Sequence, residues 1–156
     1  MEVREICLAH VKEISQLFNE IFSREPWNDE WNEEDLSIYM HDLVGNRLSL
    51  SIGLYDGDQL IGIALGRIKH WYNGREFWID EFGIMTDEQS KGLGSQFMDL
   101  VVDYTKKRGI DRIMLITERE FSATLMSTPD LKEYYYRDIE EEFKVYACLL
   151  YTSDAA

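Results

Sequence analysis

The chain has 156 residues, 45% of them hydrophobic and 13% aromatic, which is enough to bury a core and too apolar for a disordered composition. Thirty acidic residues against sixteen basic ones give a net charge of −14, so the surface repels nucleic-acid backbones and attracts cations. No apolar leader opens the sequence and no run is long enough to span a bilayer, so we expect a cytoplasmic protein with no nucleic-acid or membrane partner.

The chain carries no internal repeat and no low-complexity linker, and with two prolines residues 1–156 read as one domain. The segment 3–8, VREICL, reads as a first strand. In 9–23 the apolar residues Val11, Ile14, Leu17, Phe18 and Ile21 keep helical spacing, and 31–45, WNEEDLSIYMHDLVG, reads as a second helix ending near Gly45. Two β-rich runs follow in 48–71, parted by the turn DGDQ, and a further turn at 72–76 leads into the strand FWIDEFGIM at 77–85. Leu93, Phe97, Val101 and Tyr104 share one face of a helix that stops at Gly109. The almost continuously apolar 111–118 reads as a central, buried strand. Residues 122–139 look helical apart from Pro129, and FKVYACLLY at 143–151 is the last strand. The order gives a mixed α/β protein of the α+β type, its sheet of about six or seven strands mostly antiparallel and flanked by about four helices.

Cys7 and Cys148 lack metal-site spacing and read as reduced core thiols. His10, His41 and His70 are scattered with no cysteine or carboxylate at ligand spacing, so no metal is expected.

The stretch DEQSKGLGSQF, 87–97, gives up two side chains directly ahead of a helix. A P-loop needs Lys and then Ser or Thr after its last glycine, and Ser95 and Gln96 stand there instead. A dinucleotide fingerprint needs a third glycine where Phe97 stands. A plain turn and a phosphate cradle at a helix N-terminus are the readings left. In the second, bare glycines let backbone N–H groups approach an anion, the helix dipole adds about half a positive charge, and Lys91 adds a full one.

The strand FGIM, then Gln89-x-x-Gly92-x-Gly94, then an amphipathic helix and the strand IMLIT resembles the acetyl-CoA site of the GCN5-related N-acetyltransferases, the GNAT superfamily. The likeness covers nearly the whole chain by element order, and 82–117 is its specific part. It implies that Gln89 opens a loop in which Lys91, Gly92, Leu93, Gly94, Ser95 and Gln96 line the coenzyme A pyrophosphate. It implies that the strand before the loop bulges and splays from its neighbour, so that Ile84, Met85 and Thr86 meet the pantetheine arm. An N–H near Ile84 would polarise the thioester carbonyl, a contribution of about 3–4 kcal/mol per good donor in other enzymes.

Acyl transfer to an amine needs a base, because an amine of pKa near 10.4 is free in roughly one molecule in two thousand at neutral pH. Asp80 and Glu81 are adjacent on the strand, and alternation sends them to opposite faces, with Asp80 on the parity of Phe82 and Ile84. Asp80 also matches an acidic residue of aminoglycoside 6'-N-acetyltransferases and is the first choice as base or ammonium anchor, with Glu81 second. The family often supplies a Tyr from the last helix to protonate the leaving thiolate, and Tyr136, chosen over Tyr134 and Tyr135, fits best, although Pro129 and the missing glycine depart from the pattern. Trp27, Trp31, Tyr39, Trp71 and Tyr72 lie on segments that wall the acceptor cleft in this fold. The resemblance therefore implies direct transfer from acetyl-CoA to a primary amine of a cationic acceptor: an aminoglycoside, a polyamine or a peptide amine. A homodimer is left open. The alternatives are a catalytically silent module that senses coenzyme A, and a binding module without coenzyme A.

Overall fold

The computed structural model describes residues 1–25, 27–89, 91–118, 134–140 and 143–150. Its strands are β1 (Glu2–Glu5), β2 (Ser49–Asp56), β3 (Gln59–Trp71), β4 (Gly74–Ile84), β5 (Arg112–Glu118), β6 (Tyr134–Glu140) and β7 (Phe143–Leu150). Its helices are α1 (Val11–Phe22), α2 (Glu33–Gly45) and α3 (Leu93–Lys107), with short 3-10 turns at Leu8–His10 and Thr86–Glu88.

The strands form one mixed sheet in the order β1-β2-β3-β4-β5-β7-β6. Neighbours from β1 to β4 are antiparallel, β4–β5 and β5–β7 are parallel, and β7–β6 is antiparallel. Each face has its own core. Phe97, Met98, Val101 and Val102 of α3 pack on Ile52, Leu54, Phe77, Ile79 and Ile113. On the other face, Ile14, Leu17, Phe18 and Ile21 of α1 and Met40 of α2 pack on Leu60, Ile63 and Leu65. Both faces of β3 are thus covered, which is why its middle reads as an unbroken apolar run.

The first turn of α2 holds Glu33, Glu34 and Asp35, and Asn32 caps it by accepting from the Asp35 N–H at 2.9 Å. Three of the chain's thirty acidic residues thus stand at a helix start, where carboxylates meet the positive end of the dipole.

The structure corrects three expectations. Cys7 is exposed rather than buried, because it lies past β1 at the entry to the Leu8–His10 turn, with its Sγ 3.5 Å from His10 Nδ1. Residues 134–139 belong to a strand, β6, paired with β7, rather than to the end of a helix. The described residues hold three α-helices, and 122–133, including Pro129, lie outside them.

A further correction concerns β4. Leu65 pairs with Glu81, yet Gly66 pairs with Ile79, so Asp80 is an extra residue and the strand bulges there. Ile79 and Phe82 both belong to the α3 side, which leaves Asp80 and Glu81 between them on the α1–α2 side. Simple alternation had put them on opposite faces, and the inserted residue breaks the period. The partner position accommodates the bulge: a Cβ on Gly66 would lie 2.0 Å from the Trp78 carbonyl oxygen.

Candidate active site

The β4–β5 ladder stops at Ile79↔Leu115, although β4 runs on to Ile84 and β5 to Glu118. Beyond that pair the two strands part, leaving a wedge at their carboxyl ends. The Met85 N–H donates to Ile61 O at 2.8 Å, on the β3 side. Successive residues of a strand point their amides to opposite edges, so the N–H and C=O of Ile84 face the wedge. That carbonyl accepts from the Gln89 side chain, Nε2 to O, at 3.0 Å. Thr86 follows just past the strand, and its buried Oγ1 has no hydrogen-bond partner.

The loop then turns into α3. Gly92 is the N-cap residue with φ +77°, ψ 6°, a left-handed conformation that costs any L side chain about 1–2 kcal/mol. A turn alone explains that glycine. It does not explain Gly94, which lies inside α3 without a positive φ and, outside its own helix and chain neighbours, has nothing among the described residues within 4 Å of where its Cβ would be. Alanine there would favour the helix by about 0.5–1 kcal/mol and would meet no other described residue. Leu93 anchors the turn by burying its side chain in the α3 core.

The helix start has N–H groups without intrahelical partners, as any helix does. The Gln96 N–H is the first to turn inward, donating to Gly92 O at 3.2 Å, so Leu93, Gly94 and Ser95 precede the ladder. Lys91 is ion-paired with Glu88 at 3.0 Å, so backbone dipoles supply more of the local positive field than the sequence suggested.

Across β4 lies a different environment. Tyr39 of α2 donates a short hydrogen bond from its hydroxyl to Glu81 Oε1. The Tyr39 ring stacks on Trp31 with centroids 5.0 Å apart and planes at 14°. Phe18 of α1 meets Trp31 edge-on at 6.1 Å and Tyr39 at 5.9 Å. Trp31 also lines an open cleft of about 330 Å³ with Asp29, Glu30 and Asp35.

The two neighbouring carboxylates differ. Both Asp80 oxygens lie 2.6 Å from Arg67 Nη1 of β3, so a cation already compensates its charge. Among the described residues Glu81 has no such cation. Burial pushes its carboxyl above the ordinary value, the Tyr39 hydrogen bond pulls it part of the way back, and Asp29 and Asp80 push it up again. The same burial and the Glu81 charge hold the Tyr39 phenol far above its usual range, so it stays a donor throughout the working pH range.

The structure thus brings Ile84 and Gln89 together at the wedge, turns the Met85 N–H to β3, leaves Thr86 just past the strand, and sets Lys91 to Gln96 at the helix start and Asp80 and Glu81 on one side of a bulge. Tyr136 lies elsewhere, on β6, opposite Tyr146 of β7, so two strand spacings, about 10 Å, separate its strand from β5. Trp71 and Tyr72 lie at the β3–β4 hairpin tip, seven or more residues ahead of Glu81 and about 20 Å away along the strand, so they do not wall this site. Sequence reading missed Arg67, whose role as the Asp80 partner depends on strand register and leaves no local signal. Among the described residues no group of three His, Cys, Asp or Glu side chains could hold a metal, and no helix is long and apolar enough to cross a membrane.

The profile of the acetyltransferase (GNAT) family matches residues 11–125, well over half of the chain. No curated protein matches. A possible acetyltransferase from Clostridium difficile 630 is similar in structure, with a TM-score of 0.65 and 18% identity over 89% of this chain and 98% of that one. The aminoglycoside 6'-acetyltransferase AAC(6')-Iy, in complex with the bisubstrate analog CoA-S-monomethyl-acetylneamine, matches with a TM-score of 0.59 and 15% identity over 88% of this chain and 97% of that one. A predicted acetyltransferase from Clostridium acetobutylicum with acetyl-CoA matches with a TM-score of 0.56 and 18% identity over 88% of this chain and 96% of that one.

Proposed function

Since the chain belongs to the acetyltransferase (GNAT) family, we propose that it transfers an acetyl group from acetyl-CoA directly to a primary amine of a cationic acceptor. Gly94 carries the cofactor half of this reading. A glycine that the fold does not need, beside open space at a helix N-terminus, suits a bound phosphate whose oxygens come close to the backbone. Gln89, Lys91, Gly92, Leu93, Ser95 and Gln96 complete that loop, and the wedge past Ile79 suits the pantetheine arm, with Ile84, Met85 and Thr86 along it.

Acetyl-CoA would supply the acetyl thioester, whose C–S bond breaks as a C–N bond forms to the amine. The Ile84 N–H stands where it can stabilise charge developing on the acetyl oxygen. Glu81 is the base. Its raised pKa makes it a better proton acceptor near neutral pH than an ordinary carboxylate, and no cation among the described residues competes for it. Ile84 lies three residues on, about 10 Å, so the proton of the attacking ammonium reaches Glu81 through water. Asp80, shared with Arg67, serves as an anchor for a second positive group. Tyr136 is the proton donor to the departing thiolate on sequence position alone. No covalent acetyl-enzyme is required.

The acceptor is an aminoglycoside, a polyamine or a peptide amine. Support comes from the −14 charge, from the acidic cleft beside Trp31, and from AAC(6')-Iy among similar structures. The test is thermal unfolding with acetyl-CoA, free CoA and NAD, followed by an amine screen. Ligand at a hundred times its Kd stabilises by about 2.7 kcal/mol. A shift with both CoA forms and not NAD, with turnover of a polycationic amine, is the expected result. A shift without turnover of any amine marks a silent coenzyme A sensor, and no shift at millimolar acetyl-CoA removes the reading.

A further inference from the structure

Glu81 and Tyr39 are 42 residues apart, on the bulge of β4 and the middle of α2, and neither makes sense alone. A half-buried carboxylate on the inner face of a sheet is costly unless a donor meets it. A core built only for stability would place an apolar side chain at 81, opposite Leu65. Instead the position holds an acid, and the donor that meets it stacks on Trp31, the aromatic wall of the acidic cleft.

We infer that Tyr39 is the positioning residue of the acceptor site: its hydroxyl fixes the Glu81 carboxylate, and its ring ties Trp31 and the segment before α2 to that carboxylate. This rests on the reading of Glu81 as base. Tyr39 does not itself carry protons through the reaction, because its phenol stays protonated at working pH. It holds one Glu81 oxygen and leaves the other for the acceptor's proton. It also makes the base responsive to the cleft, since an acceptor that presses on Trp31 presses on the ring that orients Glu81.

The groups that face Glu81 are few. Tyr39 comes from α2, Asp29 from the segment between α1 and α2, and Asp80 from β4, compensated by Arg67 of β3. The α1 side chains packed nearby, Phe18 and Phe22, are apolar. Among the described residues, Tyr39 lowers the Glu81 pKa and the two aspartates raise it. Losing the hydroxyl therefore moves Glu81 in one direction.

The experiment compares wild type with Tyr39→Phe, which keeps the stacked ring and removes the hydroxyl. The Glu81 carboxyl is titrated by carbon NMR in the full chain, with Glu81→Gln assigning the resonance, and kcat/KM for the acetylated amine is followed against pH. We expect a higher Glu81 midpoint in Tyr39→Phe, an acid limb of kcat/KM displaced to higher pH by the same amount, and unchanged thermal stabilisation by acetyl-CoA. Trp31→Leu, which keeps the hydroxyl and removes the stack, should give a smaller displacement of the same sign and a raised KM for the acceptor. Superimposable titrations of wild type, Tyr39→Phe and Trp31→Leu overturn the inference, even if Glu81→Gln is inactive and the base assignment stands. A displaced titration in a protein that acetylates no amine upholds the positioning and overturns the base assignment instead.

Discussion

Towards β5, the carboxyl end of β4 offers backbone: the Ile84 amide facing an opening, a loop without side chains at 92 and 94, and the start of α3. Towards α1 and α2 the same strand offers side chains: Glu81 held by Tyr39, Tyr39 stacked on Trp31, Asp80 held by Arg67. One side works by what has been removed and the other by what has been put in place. A cofactor common to a family can be met by backbone, which every sequence has. An acceptor particular to one member must be met by side chains, and these differ from chain to chain. The bulge at Asp80 separates the two tasks, because it breaks the alternation and lets adjacent acids share one face.

The sharpest break in this comparison is Glu81→Gln, which should lower kcat/KM by roughly 10²–10⁴-fold, the usual contribution of a general base. The stabilisation by acetyl-CoA should be unchanged, since the substitution lies on the other side of the strand. Asp80→Asn should cost less than about tenfold, because its ion pair with Arg67 is of the kind worth about 0–1 kcal/mol. Steady-state kinetics of both variants decide the matter, and a larger loss from Asp80→Asn would exchange their roles.

The backbone side breaks differently. Gly94→Val should abolish stabilisation by acetyl-CoA without unfolding the protein, because no described residue beyond its own helix and chain neighbours lies within 4 Å of a Cβ at 94. Gly94→Ala should raise ligand-free stability by about 0.5–1 kcal/mol while weakening acetyl-CoA, a combination that a merely structural glycine cannot give. Gly92→Ala should lower ligand-free stability by about 1–2 kcal/mol, since it forces a side chain into φ +77°. Denaturant unfolding with and without ligand measures all three.

This contrast also explains what could be read from the sequence. The glycine spacing at 92 and 94 is a local demand on the backbone, so eleven residues suffice to see it. Helical periodicity likewise placed Leu93, Phe97 and Val101 on the buried face of α3. The acceptor side was readable as composition, acidic and aromatic, but not as geometry. The Asp80 bulge appears only in the pairing with Gly66, the Arg67 pair depends on register, and Tyr39 meets Glu81 across 42 residues. Period-two reasoning therefore favoured Asp80 for a reason that the inserted residue cancels. The strand β6 was missed because Tyr134, Tyr135 and Tyr136 are good strand formers lying where the family resemblance called for a helix.

A smaller effect separates the two sides by pH. The Glu81 pKa is higher folded than unfolded, so its burial favours the folded state fully below about pH 4.3 and loses that contribution as pH rises through the folded value. Glu81→Gln has no charge to bury. Its stability relative to wild type should therefore be greater at pH 8 than at pH 4, as thermal unfolding at the two pH values would measure, whereas Gly94→Ala should show the same increment at both.

The last expected effect belongs to Tyr136. A thiol of pKa near 8.5 leaves as thiolate with little help at pH 8, so a proton donor contributes less here than a base does to an ammonium two units above that. If Tyr136 donates that proton, Tyr136→Phe should lower kcat about tenfold with acetyl-CoA, below the roughly 10²–10⁴-fold usual for acid catalysis. The loss should shrink when the acetyl group is carried by a more acidic thiol, which needs no proton to depart. An equal loss with both donors would mean that Tyr136 acts through the β6–β7 pairing, where it stands opposite Tyr146, and not on the leaving group. No loss with either would return the last step to solvent, and the chemistry would then rest wholly on the two sides of β4.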